Sequence, residues 1–113
     1  MSKRDELIGK YIHEVRGKLG QEPDVDLIRK VAIGCGPSIY RRDSATVATS
    51  QPKEMAAIRK NFLMGKLGLP DGPDLDAGIE AATDTYGRSN PTKYRAVFCY
   101  LLVRHFGKES IYD

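Results

Sequence analysis

The residues of this chain best suited to bind something lie in one run, Arg88-Ser89-Asn90-Pro91-Thr92-Lys93-Tyr94-Arg95. Arg88, Lys93 and Arg95 supply cations, and Ser89 and Thr92 supply hydroxyls. Asn90-Pro91 reads as an N-cap followed by a first-turn proline, so a helix is expected to start here. A helix N-terminus presents free amides and a positive partial charge, which suits phosphate or carboxylate groups. Two structural readings compete with an anion site. Asn90 caps the helix without binding anything, or the cations offset the acidic stretch before them. Residues 71–84 carry Asp71, Asp74, Asp76, Glu80 and Asp84 without a Lys or Arg, whereas residues 85–108 carry Arg88, Lys93, Arg95, Arg104 and Lys108 without an acid. Charges so arranged can solvate two outer faces and pair loosely across them.

A second candidate is Gly34-Cys35-Gly36-Pro37-Ser38, with Arg41 and Arg42 close behind. It has neither the GxxxxGK[ST] nor the GxGxxG spacing of a phosphate loop, and no strand precedes it. Gly34 is expected to close a helix and Gly36-Pro37 to make a turn, with Arg41 and Arg42 available to an anion. A nucleophilic Cys35 would need a thiolate stabilised by a cation, a helix N-terminus or a histidine. His13 falls on the solvent side of the first helix, and His105 reads as a packing residue near the end of the last. No catalytic residue is therefore assigned. Cys99 sits in an apolar run and reads as a small core hydrophobe.

Two cysteines and two histidines, none at ligand spacing, give no metal site. Asp76, Glu80 and Asp84 share one helix face, but Ca²⁺ usually takes about six or more oxygens from a tight loop, so a solvated stripe is the simpler reading. Tyr40 and Tyr94 adjoin arginines, as base-stacking residues would. Tyr11, Tyr86 and Tyr94 nevertheless fall at core spacing. The cations of the third helix, Lys53, Arg59, Lys60 and Lys66, point in several directions. These patterns argue against nucleic acid as a partner, and no cofactor is implied.

Five helices are expected to position these residues. The first runs from Ser2 to Leu19, with Ser2 as cap, Asp5 reaching back, and Leu7, Ile8, Tyr11, Ile12 and Val15 on one face. The second spans Asp24 to Ile33. The third follows Ser50 to about Leu67, with Met55, Ile58, Phe62, Leu63 and Leu67 inward, and Gly68-Leu69-Pro70 stops it. The fourth runs from Pro73 to Tyr86, where Gly78 either weakens the helix or marks a close contact. The fifth, from Asn90-Pro91 to Phe106, is apolar all round from Ala96 to Val103 and belongs either at the centre of the fold or against a second subunit. Ala45 to Thr49 could be a short strand, but nothing resembles its partner. The irregular stretch 35–49 is long for a compact domain, and Pro37 to Tyr40 is its best place for a helical turn.

The chain has 113 residues, 41% apolar and 29% charged, with net charge +3. One core suffices at this length without disulfides or metal. Met1-Ser2-Lys3-Arg4-Asp5-Glu6 lacks the apolar segment of a signal peptide. The run Ala96 to Val103 is far short of the ~20 residues that span a bilayer. Two cysteines without CxxC spacing read as free thiols in a reducing compartment.

Ile33 to Tyr40, Lys60 to Leu63, Tyr86 to Asn90, Lys93 to Val97 and His105 to Glu109 together resemble a family of small bacterial proteins catalogued as domain of unknown function 2853. The resemblance implies an all-helical, stand-alone bacterial domain and carries no activity. The expectation is thus a single-domain, all-α bundle of about five helices around a central apolar C-terminal helix. It is read as a non-enzymatic, cytoplasmic interaction or scaffold domain, with a possible homodimer, an unknown protein partner and no membrane. The alternative is an anion-binding module for a phosphorylated metabolite, nucleotide or RNA, built from Arg88, Ser89, Asn90, Thr92, Lys93, Arg95, Arg41 and Arg42.

Overall fold

A computed structural model describes residues 2–113. Five α-helices follow in order: α1 (Lys3–Gly17), α2 (Val25–Gly34), α3 (Pro52–Ala57), α4 (Pro73–Tyr86) and α5 (Arg95–Phe106). A 3₁₀ turn (Gly36–Tyr40) follows α2, a π-helical segment (Ile58–Lys66) continues α3, and a second 3₁₀ turn (Glu109–Tyr112) closes the chain. The architecture is all-α, and one hydrophobic cluster runs through it. Among the described residues no helix is long and apolar enough to cross a membrane.

The local signals mostly act where their chemistry puts them. The Ser2 hydroxyl accepts from the Asp5 amide at 3.2 Å, and the Asp24 carboxylate accepts from the Leu27 amide at 3.1 Å. Each satisfies an otherwise orphan first-turn donor. The Asp5 carboxylate also pairs with Arg29 of α2 at 3.4 Å. Gly34 stays helical, so the left-handed position after α2 passes to Gly36, at φ +65°. Gly78 marks a close contact. A Cβ there would lie 2.2 Å from Phe106 Cζ and 3.2 Å from His105 Cδ2.

α5 is central. Every residue from Ala96 to Val103 is buried, packed mainly on α4 and α2 and also on α1. The chain's own helices cover the whole apolar surface that suggested a second subunit. Full burial of each large aliphatic or aromatic side chain there contributes roughly 1.5–3 kcal/mol. His105, by contrast, is exposed rather than packed inside, edge-on to Phe106 with ring centroids 4.8 Å apart. The protonatable ring stays in water at the helix end.

Two departures from the expected elements matter for function. First, α5 begins at Arg95, not at Asn90-Pro91. Asn90 instead closes a local turn, its side-chain oxygen accepting from the Thr92 amide at 3.1 Å. The reason is that the stretch from Ala45 to Thr49 meets residues 93–95 here in a single isolated antiparallel bridge. The Val47 amide donates to the Lys93 carbonyl and the Arg95 amide to the Ala45 carbonyl, both at 2.8 Å, around an antiparallel bridge between Thr46 and Tyr94. These extended bonds hold Lys93 and Tyr94 out of the helix. They also order the stretch 35–49, whose first part is the 3₁₀ turn Gly36–Tyr40.

Second, the third helix widens. Beyond Ala57 it winds as a π-helix, and the Leu67 amide donates to the Phe62 carbonyl, five residues back. The buried positions become Ile58, Leu63 and Leu67, while Phe62 is only half buried. An α-helix would have brought Phe62 under Ile58. The extra residue per turn swings it aside, toward a cavity.

Candidate functional site

The cavity lies between the end of α2, the π segment, α5 and the C-terminal turn, and measures about 310 Å³. Val31, Ala57, Ile58 and Phe62 make its walls apolar. Ser38, Asn61 and Tyr112 add polar atoms, Arg95 and Lys66 add cations, and Cys35 and Cys99 add two thiols. Each element has a local reason to be there. Gly36 turns the chain sharply after Cys35. The Tyr112 ring lies against Gly34, where a Cβ would meet Tyr112 Cε1 at 3.4 Å, an ordinary contact. The wide π turn presents Asn61, Phe62 and Lys66 toward the same space.

Arg95 is half buried, and its Nε donates to the Ser44 carbonyl at 2.7 Å. Among the described residues no carboxylate lies within salt-bridge distance of it. Lys66 sits over the Tyr112 ring, 5.1 Å from its centroid, and likewise has no carboxylate partner among them. Cation–π contact of this kind fixes a lysine's direction without neutralising it.

The two thiols, far apart in sequence, meet here. Interaction with the Cys99 side chain holds the Cys35 thiol below its ordinary value, and the Arg95 guanidinium adds to this against the opposing effect of burial. The same contact and full burial push Cys99 well up. Cys35 is half buried and Cys99 is buried, and both are free.

The anion-site residues expected from sequence do not all gather in one place. Arg88, Ser89, Asn90 and Lys93 line a second, larger and more polar recess of about 650 Å³, together with Arg42. Asp43 and Glu54 share its wall, and Glu54 accepts from the Ala48 amide at 2.5 Å. Arg88 turns away to bind Glu80 at 2.7 Å and Asp84 at 2.8 Å. Those carboxylates hold its guanidinium more firmly protonated. Lys93 is only 5% exposed, and its ammonium donates to the carbonyls of Asn90 at 2.6 Å and Arg88 at 3.3 Å. Ser89 and Arg41 are exposed and Thr92 is half buried, and neither Arg41 nor Thr92 lines the recess. Arg95 alone crosses to the thiol cavity. With α5 starting at Arg95, its first turn does not begin at Asn90-Pro91.

The acidic stripe is also engaged. Asp76 and Asp71 flank Arg59, and Glu80 and Asp84 hold Arg88. Among the described residues no group of three or more His, Cys, Asp or Glu is set to hold a metal.

The sequence reading passed over Cys99, Lys66, Asn61, Phe62 and Tyr112 as cavity residues. Lys66 was visible only as one of several scattered cations, and no spacing rule links Cys35 to Cys99. The family model described as "Protein of unknown function (DUF2853)" matches residues 10–110. The chain belongs to that family. No curated protein matches it.

Proposed function

We propose that this member of the DUF2853 family is a non-enzymatic binding module whose site is the cavity beside Arg95. Its ligand is a small molecule with an apolar body and one anionic end, a carboxylate or a phosphate monoester. The observation that carries this reading is Arg95 itself, a half-buried guanidinium on the wall of an apolar cavity, hydrogen-bonded to one carbonyl and facing no carboxylate among the described residues. A partly desolvated cation gains from an anion that enters with apolar groups to fill the space around it. The volume, about 310 Å³, lies at the lower end of the ~300–1,000 Å³ that small-molecule sites occupy. The protein is read as a bacterial, cytosolic one, whose compartment keeps its thiols reduced at rest. Of the scaffold reading, only the homodimer through α5 relied on an apolar surface, one that α1, α2 and α4 already cover.

A second reading keeps the anion in the polar recess near Arg42, Ser89, Asn90 and Lys93. The buried ammonium of Lys93 favours it, and Asp43 and Glu54 on the same wall oppose it.

A thermal-shift series with octanoate, benzoate and phenyl phosphate at low and moderate salt separates the two. A probe at ~100 times its Kd adds about 2.7 kcal/mol, a rise on the order of ten degrees for a domain of this size. The shift should vanish in Arg95→Gln and survive in Arg42→Ala. The reverse pattern assigns the recess, and a flat series on the wild type removes the binding reading.

A further inference from the structure

The cavity contains more than an anion site needs. Two free thiols from distant parts of the chain line its wall together, one half buried and the other buried. We propose that Cys35 and Cys99 form a peroxide-reactive pair, in which Cys35 is oxidised first and Cys99 resolves it into an internal disulfide. This goes beyond the ligand reading and does not depend on it.

Three features of the geometry assign the roles. Cys35 lines the open cavity at the end of α2, where a small hydroperoxide can reach it. Cys99, in the buried stretch of α5, lines the same cavity but is only 4% exposed, so oxidant entering from solvent meets the half-buried Cys35 first. Arg95, one turn before Cys99 on the same helix, adds a guanidinium to the cavity that both thiols line. A nearby cation favours the thiolate, which is the nucleophile toward peroxide. The depressed Cys35 and raised Cys99 thiols agree with this division of labour.

The chemistry balances in two steps. The Cys35 sulfur attacks the peroxide, forming an S–O bond as the O–O bond breaks. The leaving alkoxide, or hydroxide from hydrogen peroxide, departs with the Cys35 proton as alcohol or water. Cys35 is then a sulfenic acid. The Cys99 sulfur attacks it, the S–S bond forms as the S–O bond breaks, and the hydroxide leaves with the Cys99 proton as water. Two thiols lose two electrons and the peroxide gains them. A dithiol reductant returns the pair to the free state by exchange.

The test is oxidation of the full chain by hydrogen peroxide, read by intact and peptide mass with dimedone present. The wild type should lose two hydrogen atoms, yield a Cys35–Cys99 linked peptide, and recover its mass with dithiothreitol. Cys99→Ser should instead accumulate a dimedone adduct at Cys35, and Cys35→Ser should give neither product. Before oxidation, iodoacetamide should label Cys35 at least about tenfold faster than Cys99, with a midpoint below that of a free thiol. A wild type that yields only a Cys35 adduct or higher oxides, with Cys99 untouched, overturns the resolving role. Labelling of Cys35 no faster than free cysteine overturns the site. The linked peptide is read on the wild type, so a Cys99→Ser chain that fails to fold leaves the proposal open to refutation.

Discussion

α5 has two unlike sides. Toward α4 and α1 it is closed. Gly78 admits the Phe106 ring at a distance no Cβ permits, and the Tyr86 hydroxyl donates to Glu14 at 2.7 Å while accepting from the Tyr94 amide at 2.9 Å. Toward the π segment and the C-terminal turn the same helix borders empty space, two thiols and cations without carboxylate partners among the described residues. On the closed side each buried polar group has its partner within the chain, and a change there disturbs folding. On the open side the groups have unused capacity, and a change there should disturb binding and reactivity while leaving stability nearly intact. Stability and function are thus separated across one helix.

Tyr86→Phe attacks the closed side hardest. It strips a buried carboxylate, Glu14, of its short hydrogen bond and leaves Lys18 at 3.7 Å as its remaining ion partner. The Tyr94 amide loses its acceptor as well. Unmade hydrogen bonds of this kind cost about 2–4 kcal/mol together, which urea unfolding should report. Adding Glu14→Gln should recover part of the loss, because a neutral group is cheaper to leave buried. A cost under about 0.5 kcal/mol would mean that water repairs the site, and the closed side would not be closed.

The same phenol has a pH signature. Burial, reinforced by the bond to Glu14, pushes Tyr86 up, and burial pushes Tyr11 up to about 12. Both hold their protons more tightly folded than unfolded. Their contribution is complete below the unfolded value of about 10 and is lost as pH rises from there toward the folded values. Melting temperature should fall progressively above pH ~10, and less steeply in Tyr86→Phe relative to its own neutral-pH value.

Gly78→Ala comes next. The helix gains roughly 1 kcal/mol of propensity but must displace Phe106, and overpacking of this sort costs about 1–3 kcal/mol. A net loss of about 1 kcal/mol is expected, turning to a gain when Phe106→Ala removes the clash. A gain from Gly78→Ala alone would show that Phe106 moves aside freely.

Cys35→Ala, on the open side, should change stability by less than about 1 kcal/mol while abolishing thiol reactivity. A larger loss would mean that the cavity wall is structural. Smallest of all, Arg88→Ala removes exposed ion pairs to Glu80 and Asp84 and should leave the urea midpoint nearly unmoved, with any shift shrinking further at high salt.

Much of the closed side was legible in the residue order. The cap at Ser2, the start of the second helix near Asp24, the span Pro73 to Tyr86 and the all-round apolar stretch of α5 are local patterns, decided by hydrogen-bonding groups and spacing within a few residues. The start of α5 was not. Asn90-Pro91 carries good helix-start chemistry, yet Ala45 and Val47, far back in the chain, bond across residues 93–95 and outcompete it. Tertiary pairing overrode local propensity there. Lys93, Arg88 and Arg95 then parted, each to a different set of partners, so the run of cations that looked like one site became three environments.

What the sequence by itself determined is the class of the fold, its five helices, the buried identity of α5 and the set of side chains available for chemistry. Those follow from periodicity, capping and transfer of apolar groups from water, all local or compositional in origin. Only the tertiary structure decided where the cavity lies and what faces it. The π turn that rotates Phe62, the strand pairing that delays α5 and the meeting of Cys35 with Cys99 are long-range packing outcomes. No spacing rule along the chain encodes them, because the residues involved become neighbours only when separate helices share one core.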